Sequence, residues 1–333
     1  MAALSEHRLE PSRGPLLDLR EVHPSYLDEL LDQETAEWMS SLDWDFEPSA
    51  NLVRRFIAMR ALTGYVLPES RDKDPRAIGY VYYVADEDKG LVGGLYVAPQ
   101  HRTEDIENLL LTAVLDAMWR TPGLHRIEAQ LMMLTSPLER TVPYASRFCQ
   151  HSRQFMEIAS SSITALAPRD STAAIMPWVE SRRGDAARLI AQSYSGHIDS
   201  QINDQYRSQA GARRFLTNIV EYPGCGSFFM PGSFVALAGG PRSSANQPLA
   251  GMSLSSLVAP GVGHITQVCV APAYRGTGLG YELLRRSLVS LAAHGCSKVS
   301  LTVTSANESA ANLYRRMGFT NRREFAAYVW ELR

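Results

Sequence analysis

The sequence predicts an α/β (α+β) protein, a mixed central sheet flanked by helices, built twice in tandem. Three observations carry that prediction. Strand-like and helix-patterned runs alternate along the chain. Val97-Ala98-Pro99-Gln100-His101-Arg102 returns as Val270-Ala271-Pro272-Ala273-Tyr274-Arg275. Each copy of this V-A-P-x-x-R segment follows a strand-like run that starts near a glycine, and each precedes a helical one. A lone match is weak. The ordered series, repeated at an offset of about half the chain, makes two copies of one unit the economical reading.

In the first unit, Ile78 to Val84 reads as a strand and Ile106 to Trp119 has helical spacing. Trp38 to Glu47 fits either a recognition surface for a basic ligand or a helix end whose aromatics pack beneath acidic neighbours. The proline-containing polar stretch Ala167 to Thr172 suits a linker, dividing residues 1–168 from 169–333. Beyond it, Ile175 to Val179 is a short strand. Asp185 to Tyr194 and Asp204 to Ile219 are helical, with Leu189 and Ile190, then Phe215, Leu216 and Ile219, on one side. Ser233 to Ala238 is a strand and the polar tract Gly239 to Gln247 a turn. Strands at Ala250 to Leu257, His264 to Val270, Lys298 to Thr304 and Phe325 to Leu332 enclose helices at Leu279 to Ala293 and Glu308 to Met317, in a mostly sequential sheet.

With 333 residues the chain is long enough for two cores, and 45% hydrophobic and 20% charged residues describe an ordinary globular protein. A net charge of −2 without a run of lysines or arginines argues against nucleic-acid and membrane partners. The four cysteines are scattered with no metal spacing, as expected of reduced thiols in the cytoplasm, and no metal is expected. Residues 1–20 lack the apolar core of a signal peptide, and no window is apolar for long enough to span a bilayer. Pro223-Gly224-Cys225-Gly226 reads as a tight turn, since no histidine partner marks Cys225 as a nucleophile.

The chemistry concentrates in Arg275-Gly276-Thr277-Gly278-Leu279-Gly280, between a strand and a helix. Alternating glycines leave backbone amides uncovered at the positive end of a helix dipole, a receptor for a phosphate or pyrophosphate. The spacing is neither the dinucleotide G-x-G-x-x-G nor a P-loop. A second motif follows, Asn307-x-x-Ala310-x-x-x-Tyr314-x-x-x-Gly318-Phe319. Together with Val268-Cys269-Val270-Ala271-Pro272, these motifs resemble the GNAT acetyltransferase superfamily over most of Ala174 to Arg333. The tandem layout with a weaker first copy is similar to that of mycothiol synthase and other double-GNAT proteins.

The resemblance implies two tandem GNAT-like folds and acetyl-CoA as co-substrate. Backbone amides of Gly276, Thr277, Gly278, Leu279 and Gly280, beside Arg275, would hold its pyrophosphate. Val268, Cys269 and Val270 would pair with the pantetheine arm from a splayed strand, with Asn307 within reach. Tyr314 would donate a proton to the departing thiolate, its pKa of ~10 lying above the ~8.5 of a thiol; by spacing alone a packed helix tyrosine fits equally. The position of the family's general base holds His264, which strand alternation puts on the face of Thr266, Val268 and Val270. A structural histidine fits the same place, and a water relay could replace it. The acceptor pocket would lie around Ser193 to Tyr206, where His197, Asp199, Asn203, Asp204 and Tyr206 could orient an amine; a helix N-cap at Asn203 or Asp204 is the plainer alternative.

In the first copy the loop reads Arg102-Thr103-Glu104-Asp105-Ile106-Glu107. At an effective dielectric of about 20, a carboxylate ~5 Å from a phosphate charge costs ~3 kcal/mol. Residues 1–168 are therefore expected to be a degenerate support with no acetyl-CoA site. Thr135 to Arg140 stands where a second N-x-x-A-x-x-x-Y would fall. The expected activity is N-acetyl transfer by direct attack of a small-molecule or peptide amine, by a monomer with an internal pseudo-dimer or by a homodimer. O-transfer and a non-catalytic acyl-CoA sensor are the alternatives.

Overall fold

The computed structural model describes residues 16–70, 76–171, 173–222, 224–239 and 247–331. Most of the start of the chain, Thr172 in the linker, Pro223 and most of the polar tract at 239–247 lie outside the described residues. The first half runs β1 (Leu17–Asp18), α1 (Asp28–Leu42), α2 (Glu47–Ala58), β2 (Thr63–Pro68), β3 (Ala77–Asp86), β4 (Lys89–Val97), α3 (Glu104–Trp119), β5 (Arg126–Gln130), β6 (Phe148–Ala159) and α4 (Ser160–Ile163). The second runs β7 (Ala174–Pro177), α5 (Arg183–Ser193), α6 (Asp199–Ile202), α7 (Gln209–Glu221), β8 (Ser227–Phe228), β9 (Phe234–Leu237), β10 (Leu249–Ala259), β11 (Val262–Val270), α8 (Leu279–Ala293), β12 (Lys298–Thr304), α9 (Glu308–Met317) and β13 (Thr320–Glu331).

The halves follow one plan. In β2-β3-β4 and β9-β10-β11 the neighbours are antiparallel, and each series ends in a parallel pair, β4 with β5 and β11 with β12. A helix crosses over between the members of each parallel pair, α3 in one half and α8 in the other. Leu110, Leu111, Val114 and Met118 seat α3 on one core, and Leu284, Leu288 and Leu291 seat α8 on another. All seven are buried, at roughly 2 kcal/mol of transfer free energy apiece. On the opposite face α1 and α2 cover the first half, while α5 and α7 cover the second.

The expectation of a mostly sequential sheet is corrected at the centre. Among the described residues the order is β1-β2-β3-β4-β5-β13-β6-β12-β11-β10-β9-β7. β13 therefore pairs with β5 of the first half, and β6 pairs with β12 of the second. Each half completes its sheet with a strand lent by the other, and β6 and β13 pair along nearly their whole lengths at the seam.

Two local readings also shift. The helical run predicted from Asp204 breaks, because Ser208 caps α7 by accepting from Gly211 N at 3.0 Å and leaves Asp204–Arg207 as a 3-10 turn. Trp38 to Glu47 is the helix-end alternative: Trp38 stacks on Phe46 at 5.2 Å, and Asp43 pairs with Lys298 at 2.9 Å.

Candidate active site

A bulge opens the site. Leu254 pairs with Gln267 but its neighbour Ser255 pairs with Ile265, so Thr266 is an extra residue in β11. The parallel ladder to β12 runs only from Val262↔Lys298 to Ile265↔Leu301. Past the bulge the two strands part, while Val268, Cys269 and Val270 stay paired to β10 on their other side. The first half has the same device, with Gly93 skipped between Tyr82↔Gly94 and Tyr83↔Val92.

One wing of the resulting cleft, ≈ 380 Å³, runs along Val268, Cys269 and Val270 to Gly276, Gly278 and Gly280. Gly276 and Gly278 adopt φ of +75° and +85°, and a Cβ on either would meet no protein atom within 4 Å. Only glycine takes this backbone freely, and its bare surface faces outward. Gly278 is the N-cap of α8 and no side chain caps that helix, so its first amides stay open to an anion. These features fit a diphosphate.

The matching end of α3 is closed. Thr103 caps it by accepting from Ile106 N at 3.3 Å. Glu104 accepts from Thr141 N at 2.8 Å, and buried Glu107 accepts from Thr135 N at 3.1 Å and from Arg140 Nη1 at 2.7 Å. Leu131, Leu134 and Val142 join Leu95 and Val97 in one buried apolar cluster.

Of the expected cofactor residues, Val268, Cys269, Val270, Arg275, Gly276, Gly278, Gly280 and Asn307 line the cleft. The side chains of Thr277 and Leu279 do not. Thr277 Oγ1 donates back to Tyr274 O at 2.8 Å, and Leu279 is buried in the core, so only their backbones can serve the loop. Arg275 donates to Ser193 O at 2.6 Å, tying the loop to the end of α5, and its Nε reaches Val270 O at 3.4 Å, as Arg102 Nε reaches Val97 O at 3.0 Å in the first copy. Asn307 caps α9, its Oδ1 accepting from Ala310 N at 3.2 Å. Arg169 and Arg316 line the same wing and were not foreseen.

Tyr314, on α9, borders both wings. Burial, with the Asp199 carboxylate nearby, pushes its hydroxyl well above the usual phenol range, so it is protonated at neutral pH. Among the described residues that hydroxyl has no hydrogen-bond partner.

The second wing is a cavity of ≈ 240 Å³. Asp199, Asn203 and Tyr206 line it as expected, whereas His197 stands on the glycine-loop side, 3.4 Å from Asp199. Asp204 is a correction. It turns away to pair with buried Lys89 of β4, and its amide donates to Glu128 Oε1 at 3.0 Å. Once α6 ends at Ile202, Asn203 caps the turn by accepting from Gln205 N at 3.0 Å, and Asp204 faces the first half.

His264 is a second correction. The bulge reverses strand alternation, so Val268 and Val270 follow Ile265 toward α8 while His264 points to the other face. There the ring lines the second wing, packs 5.0 Å from Trp44 and bonds Ser300 Oγ at 2.8 Å. Burial, followed by the Arg153 charge, lowers its pKa to about 3, too low to retain a proton taken from an ammonium.

Further residues of the cavity were not singled out by the sequence reading. Gln267 Nε2 donates to Tyr194 Oη at 2.8 Å, and Tyr194 stacks on Tyr206 at 4.5 Å. Gln130 and Arg153 come from β5 and β6 of the first half, and no local pattern connects them to a site in the second.

Residues 205–319 match the Acetyltransferase (GNAT) family. The whole chain superposes on a GCN5-related N-acetyltransferase from Sphaerobacter thermophilus with a TM-score of 0.63 at 16% identity, covering 96% of each chain. It superposes on a tandem GNAT protein from the clavulanic acid biosynthesis pathway with a TM-score of 0.61 at 14% identity, covering 96% of this chain and 98% of that one. The chain has the tandem GNAT fold. Locally it is 33% identical over 66 residues to the N-alpha-acetyltransferase MAK3 of Arabidopsis thaliana, covering 20% of this chain and 35% of that one. It is 43% identical over 61 residues to the mycothiol acetyltransferase of Corynebacterium glutamicum, covering 18% of this chain and 21% of that one. The matched stretches thus span about a third or less of those relatives, and the tandem GNAT fold is what extends over 96% of the chain. No described helix is long and apolar enough to cross a membrane, and the described residues hold no His/Cys/Asp/Glu cluster suited to a metal.

Proposed function

We propose that the protein transfers an acetyl group from acetyl-CoA to an amine in the cytoplasm, with the chemistry in residues 169–333. Residues 1–168 are a degenerate copy that walls the acceptor cavity. The observation that carries this reading is the contrast between equivalent helix starts: α8 opens uncapped onto a cleft, whereas α3 is capped by Thr103 and its first-turn Glu104 and Glu107 are tied to Thr141, Thr135 and Arg140.

Open amides at Gly276 to Gly280 hold the diphosphate, and the free edge of Val268 to Val270 pairs with the pantetheine arm. That edge also supplies N–H groups where negative charge develops on the thioester oxygen. The acceptor nitrogen enters from the cavity beside Asp199 and attacks the carbonyl. The N–C bond forms, the C–S bond breaks, and Tyr314 protonates the departing sulfur. The proton lost by the amine leaves toward Asp199 and His197, which takes over the part first assigned to His264.

Titration of the full chain with acetyl-CoA should give one site. Release of free coenzyme A should then depend on an added amine. Tight binding without turnover on any amine would replace this reading with that of an acyl-CoA sensor, and two sites per chain would overturn the assignment to one half.

A further inference from the structure

The acceptor cavity carries one unmatched cation. Arg153 projects from β6 into it, at the position where β6 pairs with both β12 and β13. Its guanidinium contacts only neutral partners: Gln130 Oε1, Thr302 Oγ1 at 3.3 Å, and the Phe325 ring at 5.7 Å. Nε is buried without a partner, and among the described residues no carboxylate lies within ion-pairing distance. The buried arginines, by contrast, are matched: Arg140 with Glu107 at 2.7 Å, and Arg126 with Glu128 at 2.6 Å. Arg153 is half-buried, so its guanidinium is only partly hydrated, and its planar fork suits a carboxylate.

The cavity's other charges set the polarity of what fits. Asp199, held by Thr304 Oγ1, is its carboxylate, and it lies near Tyr314. His264, beside Arg153, is kept neutral. A ligand therefore meets one anion, near Tyr314, and one cation, near His264. At ≈ 240 Å³ the cavity suits a small molecule.

We infer that the acceptor is a small amino carboxylate, its amine directed to Asp199 and Tyr314 and its carboxylate received by Arg153 and Gln130. The inference rests on the acetyl-transfer reading and narrows its substrate. It also gives the first half a part in substrate choice, since both carboxylate-binding side chains come from β5 and β6.

The test uses the full chain and paired probes, a set of L-amino acids of graded size, each beside its α-carboxamide. Both kcat/KM, from coenzyme A release, and Kd, from calorimetry on coenzyme A-saturated protein, are measured. For the best-fitting side chain the acid should exceed its amide by roughly 30-fold or more, the discrimination expected of a site built around one charged contact. R153Q should bring that ratio close to one, and R153K should retain part of it. Acetyl-CoA affinity and the thermal midpoint, read on the same variants, separate lost recognition from lost folding. Equal use and equal binding of every acid and its amide, or a ratio that survives R153Q, would overturn the inference. A protein that binds the acids selectively yet turns none over would sink the transferase reading and leave the carboxylate site standing.

Discussion

Tyr314→Phe deletes one oxygen atom from a side chain that borders both wings of the cleft. If that oxygen protonates the departing sulfur, kcat should fall roughly 10²-fold or more while acetyl-CoA affinity holds. Unchanged turnover would remove the role. His264 makes the opposite forecast. His264→Asn should keep turnover within about threefold, where loss of a true general base would cost ~10²-fold or more. Its effect belongs to stability. The folded pKa of about 3 lies below the ordinary 6.5, so between these values the unfolded chain binds more protons. Stability from the neutral ring is present above pH 6.5 and is lost as pH falls toward 3. Thermal midpoints measured across that window should fall more steeply for the wild type than for His264→Asn; parallel curves would contradict the burial argument. The choice of histidine was legible in the sequence but its direction was not, because a bulge is a property of two paired strands, and Thr266 alone does not announce it.

At the scale of elements, two helix starts divide the labour between the halves. Gly278→Ala places a methyl where the structure has only open space, so nothing inside the protein is displaced. A residue other than glycine at φ +85° costs about 1 kcal/mol of backbone strain. The thermal midpoint should drop by a few degrees, whereas acetyl-CoA affinity should fall by more than roughly tenfold. Equal, small effects on both would argue against an anion seat. At the other start, Glu107→Gln leaves Arg140 buried without its charge partner and should destabilise by about 3 kcal/mol in denaturant titrations. It should create no second acetyl-CoA site, because Thr103 still caps α3. This contrast was largely readable beforehand. Three glycines in one copy and three carboxylates in the other are local chemistry, and local chemistry decides whether a helix start is open or capped. Asp204 was misread for the converse reason: its partner, Lys89, is remote in sequence and approaches only when the halves meet.

For the whole molecule, the decisive feature is the exchange of β6 and β13. From the sequence, Phe325 to Leu332 in β13 reads as a strand while β6 goes unmarked, and no pattern within a strand names its neighbour, so the seam and the arginine that crosses it stayed hidden. A chain cut near residues 168–171 should remain one particle by size-exclusion chromatography under native conditions, its halves held by the ladders of β6 with β12 and β13 with β5. Separation into two species would refute the exchange. The same arrangement constrains synthesis. As the nascent chain leaves the ribosome, β5 emerges long before the strand that covers it, and β6 must wait for both its neighbours. Until the second half has been translated, the first carries raw sheet edges that could pair with other chains. Crowded polysomes, rather than the finished protein, are therefore where this architecture is most at risk of misassembly.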